Sequence, residues 1–138
     1  MEQTLVLIKP DAVRRGLIGE IIRRFENRTL EIKALKILKP SKQLVEKHYE
    51  IHRGKPFFDG VVKFMSSGPV VAMVVSGDNA ITLVRQMMGA LDPPKAVSGT
   101  IRGDFTLSTR ENLVHGSDSP ESAESEIPIW FAREEILG

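Results

Sequence analysis

Thr4-Leu5-Val6-Leu7-Ile8-Lys9-Pro10 runs apolar without alternation and then stops on a charge and a proline. A short, continuous run with β-branched members reads as a buried strand, and proline ends it because it brings no N–H to a ladder. Lysine at the end of such a strand is costly unless the charge has work to do. Downstream, Leu17, Ile18, Ile21, Ile22 and Phe25 recur at helical spacing, with Glu20, Arg23 and Arg24 opposite. That is an amphipathic helix with one face to a core.

Further along, residues 30 to 38 alternate well enough for a half-exposed strand, with one slip at Ala34-Leu35. Ser41 can cap a helix reaching about His52. A second apolar helix follows Pro56, using Phe57, Phe58, Val61, Val62 and Met65. Residues 70 to 75 form another buried strand. Gly77-Asp78-Asn79 reads as a turn that also offers a cap to the next helix, which carries Ile81, Leu83, Val84, Met87 and Met88 and can stop at Gly89. Residues 90 to 105 hold two prolines and two glycines without a regular period, the mark of a functional loop. A short strand then ends near His115. Ser119-Pro120 opens a helix, serine as cap and proline at the first helical position. Ile129-Trp130-Phe131 reads as a last strand. Strands and helices in mixed order imply an α/β sandwich with helices over one sheet face. Strand order stays open.

With 138 residues and no linker, repeat or low-complexity tract, the chain reads as one domain, 1–138. Cysteine is absent, so no disulfide framework or thiolate metal site can form. The N-terminus lacks the pattern of a signal peptide, and no run approaches the roughly 20 apolar residues of a membrane span. These features point to the cytoplasm and to no membrane partner. The formal net charge is only +1, which argues against a nucleic-acid partner but leaves room for a local basic pocket.

Three histidines could carry chemistry. His48 and His52, four apart, are a possible metal pair, but no third ligand accompanies them nearby. His115 ends an apolar strand and is followed by Gly116-Ser117-Asp118-Ser119, ahead of a helix whose positive end faces the same region. A histidine that takes up a phosphoryl group needs one free ring nitrogen and a partner on the other. Glu126, about two turns into the helix, can be that partner. From these features alone, a capped turn with an incidental histidine fits equally well. Lys9, Arg85 and Arg102 are candidate phosphate contacts, although each arginine taken singly reads as a surface charge. No Gly-x-x-x-x-Gly-Lys-Ser/Thr and no Gly-x-Gly-x-x-Gly occurs, so the usual phosphate cradles are excluded.

Asn112-Leu113-Val114-His115-Gly116-Ser117-Asp118-Ser119 closely resembles the active-site signature of nucleoside diphosphate kinases. Four more blocks agree in order and spacing: Leu7-Ile8-Lys9-Pro10-Asp11-Ala12-Val13, Lys55-Pro56-Phe57-Phe58, Ser67-Gly68-Pro69-Val70-Val71-Ala72-Met73 and Gly99-Thr100-Ile101-Arg102-Gly103-Asp104-Phe105. The resemblance covers nearly the whole chain. It implies a ferredoxin-like α+β fold, a four-stranded antiparallel sheet with helices packed on it. It implies transfer of the terminal phosphoryl group from a nucleoside triphosphate, mainly ATP, to a diphosphate by a ping-pong route, with Mg²⁺ as cofactor and a tetramer or hexamer as assembly. In those terms His115 attacks through Nδ1, Glu126 holds its other nitrogen, and Ser117 steadies Glu126. Lys9, Tyr49, Arg85 and Arg102 contact phosphates, and Lys9 also lies near the ribose. Asn112 binds the 3′-hydroxyl, Phe57 stacks on the base beside Val61, and Asp118 helps place the metal's water shell.

Three positions depart from the family pattern. Leu91 stands where a phosphate-binding threonine is usual, Thr29 where glycine is usual, and Ser98 where proline is usual. A nucleotide-binding protein without catalysis is the competing function, and Leu91 is its only support.

Overall fold

The computed structural model describes residues 1–138. Its elements, in chain order, are β1 (Glu2–Ile8), α1 (Pro10–Arg14), α2 (Ile18–Asn27), β2 (Glu31–Leu38), α3 (Lys42–His48), α4 (Phe58–Met65), β3 (Val70–Gly77), α5 (Ala80–Met88), α6 (Ile101–Phe105), β4 (Val114–Gly116) and α7 (Pro120–Trp130). The strands form one sheet in the order β2-β3-β1-β4, and every pair is antiparallel. This is the ferredoxin-like α+β sandwich. β3 lies between β1 and β2, and β1 between β3 and β4, so the β1-to-β2 and β3-to-β4 crossovers each skip a strand, whereas β2 and β3 are neighbours.

Helices cover both faces of the sheet rather than one. Val6, Ile8, Met73 and Val75 pack with Ile21 and Phe25 of α2 and with Val84 and Met88 of α5. Leu5, Leu7, Ala72 and Val74 pack instead with Val45 of α3, with Phe58, Val62 and Met65 of α4, and with Trp130 of α7. The lack of alternation in β1 and β3 requires this, because a strand apolar on both sides must be buried on both.

Other local expectations shift. The irregularity in β2 falls between Ile32 and Ala34, one step ahead of the predicted slip. α3 ends at His48, and a 3₁₀ turn at Glu50–His52 follows. The loop from 90 to 105 contains α6, capped by Thr100, whose hydroxyl accepts from Gly103 N–H. Asn79 does not cap α5 through its side chain; Glu2 Oε1 accepts the Ile81 N–H at 2.9 Å instead. Ile129 and Trp130 are not a strand but the last turn of α7, which runs on past Pro128.

Candidate active site

β4 pairs with β1 so that His115 lies opposite Leu7. That register places the His115 ring on the face covered by α3 and α7. From α7, Glu126 Oε1 meets His115 Nε2 at 2.9 Å and accepts the Ser117 hydroxyl at 2.8 Å. Ser117 is itself pinned, since its oxygen accepts the Leu5 N–H at 3.2 Å. Burial works to raise the Glu126 carboxyl, yet the hydrogen bond and charge of His115, with help from Ser117, hold it below the ordinary value. An ionised carboxylate only accepts, so Nε2 carries the proton, and in the neutral ring it is Nδ1 that keeps its lone pair. Nδ1 makes no hydrogen bond within the protein. The arrangement suits a nucleophile, with one nitrogen oriented and the other bare.

His48 packs edge-on against His115, ring centroids 4.7 Å apart. Its Nδ1 accepts the Trp130 indole N–H at 3.0 Å. Indole nitrogen only donates, so the neutral His48 ring must hold its proton on Nε2. Burial, and then the neighbouring His115, depress its pKa to about 3. His48, His115 and Glu126 bring three ligand-type atoms within 4.8 Å, but this is a poor metal centre. Trp130 occupies one lone pair of His48, and the other nitrogen is protonated. His52 stands apart, with Nδ1 against Lys55 Nζ at 2.9 Å, so no His48–His52 metal pair forms.

The cationic residues gather beside this strand. Lys9 Nζ donates to Asn112 Oδ1 at 2.7 Å. Burial, reinforced by Arg102, lowers Lys9 to about 8. Arg102, only 8% exposed, donates to three carbonyls: Asn112 at 3.1 Å, Gly89 at 3.1 Å and Val114 at 2.8 Å. Burial and the nearby Arg85 bring it to about 10. Arg85 Nη1 donates to Gly116 O at 3.1 Å. Carbonyl acceptors hold these cations close together, Lys9 against Arg102 and Arg102 against Arg85, a concentration of positive charge that suits a polyphosphate.

A cleft of about 860 Å³ opens from this cluster, lined among others by Lys9, Tyr49, Phe57, Val61, Leu91 and Asn112. Phe57, the residue just before α4, is 45% exposed, and Leu91 is 52% exposed. Burial, and then Glu126, push the Tyr49 phenol up, so it stays a neutral donor. His115, Arg85, Arg102 and Asp118 do not line the cleft itself. The Lys9–Asn112–Arg102 network joins its inner end to β4. Asp118 lies exposed on the turn after β4, its carboxyl held low chiefly by the Ser122 hydroxyl. Trp130 and Asp11 are neighbours to which the sequence assigned no chemistry, and His48 entered only as half of a possible metal pair with His52. For His48 a signal existed, an imidazole one helical turn from Leu44 and Val45 on the apolar side of α3.

Fold and site define a phosphotransfer protein, a sandwich that holds a bare imidazole nitrogen and a cluster of three cations next to a nucleotide-sized cleft, joined to it through Lys9 and Asn112. Comparison with known proteins agrees. The family model described as nucleoside diphosphate kinase matches residues 2–136. A nucleoside diphosphate kinase of Rubrobacter xylanophilus is 61% identical over 131 residues, 95% of this chain and 98% of the relative. That of Staphylothermus marinus is 57% identical over 136 residues, 99% of this chain and 96% of the relative. The structure of a halophilic nucleoside diphosphate kinase from Halobacterium salinarum in complex with CDP superposes with a TM-score of 0.95 at 45% identity, covering 99% of this chain and 91% of that one. The chain belongs to the nucleoside diphosphate kinase family. It is a phosphotransferase that moves the terminal phosphoryl group of a nucleoside triphosphate to a diphosphate through a phosphohistidine, in two half-reactions.

Proposed function

We propose that His115 is the histidine that carries the phosphoryl group, with ATP as main donor. The observation that carries this is the Nε2 contact to Glu126, which leaves Nδ1 as a lone pair. In the first half-reaction Nδ1 attacks the terminal phosphorus, the bond to the bridging oxygen breaks, and the nucleoside diphosphate leaves. A second diphosphate then takes the group back along the same line. Glu126, steadied by Ser117, offsets the positive charge that grows on the imidazole. Phosphoryl transfer loads charge on the equatorial oxygens, so catalysis is mainly placement and cationic stabilisation. Lys9, Arg85, Arg102 and the Tyr49 hydroxyl supply it here. Asn112 and Lys9 take the sugar, and Phe57 stacks on the base beside Val61. Stacking is tolerant of base identity, so the range of nucleotides is broad. The CDP bound by the Halobacterium salinarum relative supports a diphosphate in this cleft.

Mg²⁺ takes hard oxygen ligands and keeps much of its water, bound through one or two carboxylates plus substrate phosphates. Asp118, exposed and held ionised by Ser122, fits that chemistry, whereas the His48–His115–Glu126 group does not. When bound, the ion neutralises phosphate charge. Leu35 and Ile37 stand exposed on the sheet-edge strand β2, which supports a homo-oligomer, tetramer or hexamer. No helix is long and apolar enough to cross a membrane, in keeping with a cytoplasmic site of action.

Incubation with labelled ATP and Mg²⁺ tests the assignment. We expect acid-labile label on the protein, none on His115→Ala, and discharge of label to an added diphosphate. Label retained by His115→Ala would refute the role of His115. Nucleotide binding without any label would favour a binding protein.

A further inference from the structure

Leu113 holds a backbone conformation that leucine avoids. Its φ is +76°, and across it the Val114 N–H donates to Asn112 O at 2.9 Å. This is a three-residue turn of the rare, strained hand. Such a residue persists only where its surroundings over-determine it. Asp11 Oδ2 accepts the Leu113 N–H at 3.1 Å. The Lys9 N–H donates to Leu113 O at 2.8 Å. Arg102 holds the carbonyls on either side, those of Asn112 and Val114. The turn is thus gripped at both of its peptides, and the Leu113 N–H itself is held by a side chain, the Asp11 carboxyl.

That side chain is unusual. Asp11 is 2% exposed, and its Oδ1 has no partner at all. A buried carboxyl left half unsatisfied is expensive, so its one long-range bond invites an explanation. The turn it grips separates Asn112, one residue before in the cleft wall, from His115, two residues after on β4. If Leu113 relaxed to negative φ, the peptides flanking it would rotate and the two side chains would lose their common register.

We propose that Asp11 is a positioning residue: its carboxyl holds the strained turn at Leu113, and the turn sets Asn112 and His115 together in the geometry that transfer requires. The inference rests on the roles assigned to His115 and Asn112 above. The competing account is that Asp11 merely serves the start of α1 or the packing of the core.

A double-mutant cycle separates them. Asp11→Leu removes the acceptor, Asp11→Asn retains one, and Leu113→Gly accepts positive φ without strain; Leu113 is fully buried, so the cavity is common to the whole glycine background and each loss there is measured against Leu113→Gly alone. The readouts are single-turnover labelling from ATP, and kcat/KM for a ribonucleoside diphosphate against its 3′-deoxy analogue. We expect Asp11→Leu to slow transfer by on the order of tenfold or more and to weaken the preference for the 3′-hydroxyl. Asp11→Asn should stay within about threefold of wild type. In the Leu113→Gly background the Asp11→Leu loss should shrink to about threefold or less. Equal losses in both backgrounds, no loss, or a loss that leaves the 3′-preference intact would overturn the proposal. If Asp11→Leu folds only together with Leu113→Gly, the coupling is shown through stability. If it folds in neither, Asp11 serves the fold regardless of the turn and the proposal fails. Labelling of wild type against His115→Ala keeps this outcome distinct from a failure of the His115 assignment.

Discussion

Acidification should destabilise this protein through His48 before any carboxylate matters. The native ring is neutral because it is buried, accepts the Trp130 N–H at Nδ1 and faces His115 at 4.7 Å. Its native pKa lies at about 3, while an unfolded histidine titrates near about 6.5. A depressed histidine means that the unfolded chain binds the extra proton, so stability is fully present above about 6.5 and falls as pH drops toward the native value. At pH 5 the unfolded ring is almost wholly protonated and the native ring is not, so linkage costs about 2 kcal/mol relative to pH 7.5. That is a large share of the stability of an ordinary domain. Urea unfolding at one fixed protein concentration, followed at pH 7.5, 6 and 5, measures it. His48→Gln is the control, because its side-chain oxygen can still accept from Trp130 but does not titrate in this range. The wild type should lose about 2 kcal/mol more than the variant across that interval. Parallel losses in the two proteins would show that His48 is charged in the native state and that the tautomer argument is wrong.

Three further outcomes follow from the site and its departures. Glu126→Gln can donate to Nε2 as well as accept from it, which lets the proton move to Nδ1. Losing a charged hydrogen bond of about 1.5–3 kcal/mol should slow labelling of His115 by on the order of tenfold to a hundredfold, and a change under about twofold in quenched-flow measurement would contradict the role of Glu126. Leu91→Thr adds a hydroxyl to the cleft wall and should lower the nucleotide KM by about the same factor; steady-state kinetics with an unchanged or higher KM would count against it. Thr29 sits at φ +64°, a conformation that costs a β-branched residue roughly 1–2 kcal/mol. Thr29→Gly relieves this but adds unfolded-state freedom, so a net gain of up to about 1 kcal/mol, or roughly 3 °C in Tm, is expected by calorimetry.

Much of the molecule was legible in local pattern. The runs in β1 and β3, the helical face of α2 and the Ser119-Pro120 start all stand where hydrophobic period and cap chemistry put them. Their unalternating strands also implied two covered faces, a consequence the sequence reading missed by placing all helices on one. Trp130 was misassigned because Pro128 interrupts the helical pattern and leaves a short β-like run behind it. What local pattern could not carry was distance. Asp11 and Leu113 are 102 positions apart, and His48 and Trp130 are 82 apart. The positive φ at Leu113 has no glycine to announce it. The cluster at His115 was named through five ordered blocks of resemblance, and the free nitrogen could be read only once Glu126 was placed against Nε2.

If Arg102 contacts phosphate as proposed above, its setting determines how the site meets its ligand. Three of its guanidinium contacts go to main-chain carbonyls from two separate stretches of chain, so the torsions of this long side chain are frozen before any nucleotide arrives. Of five N–H vectors, those not turned to the backbone remain for phosphate oxygen. Association therefore demands little new order from the protein, and the loss of freedom falls mostly on the ligand. A lysine there, with one swivelling ammonium, could match the charge but would have to be immobilised anew at every turnover.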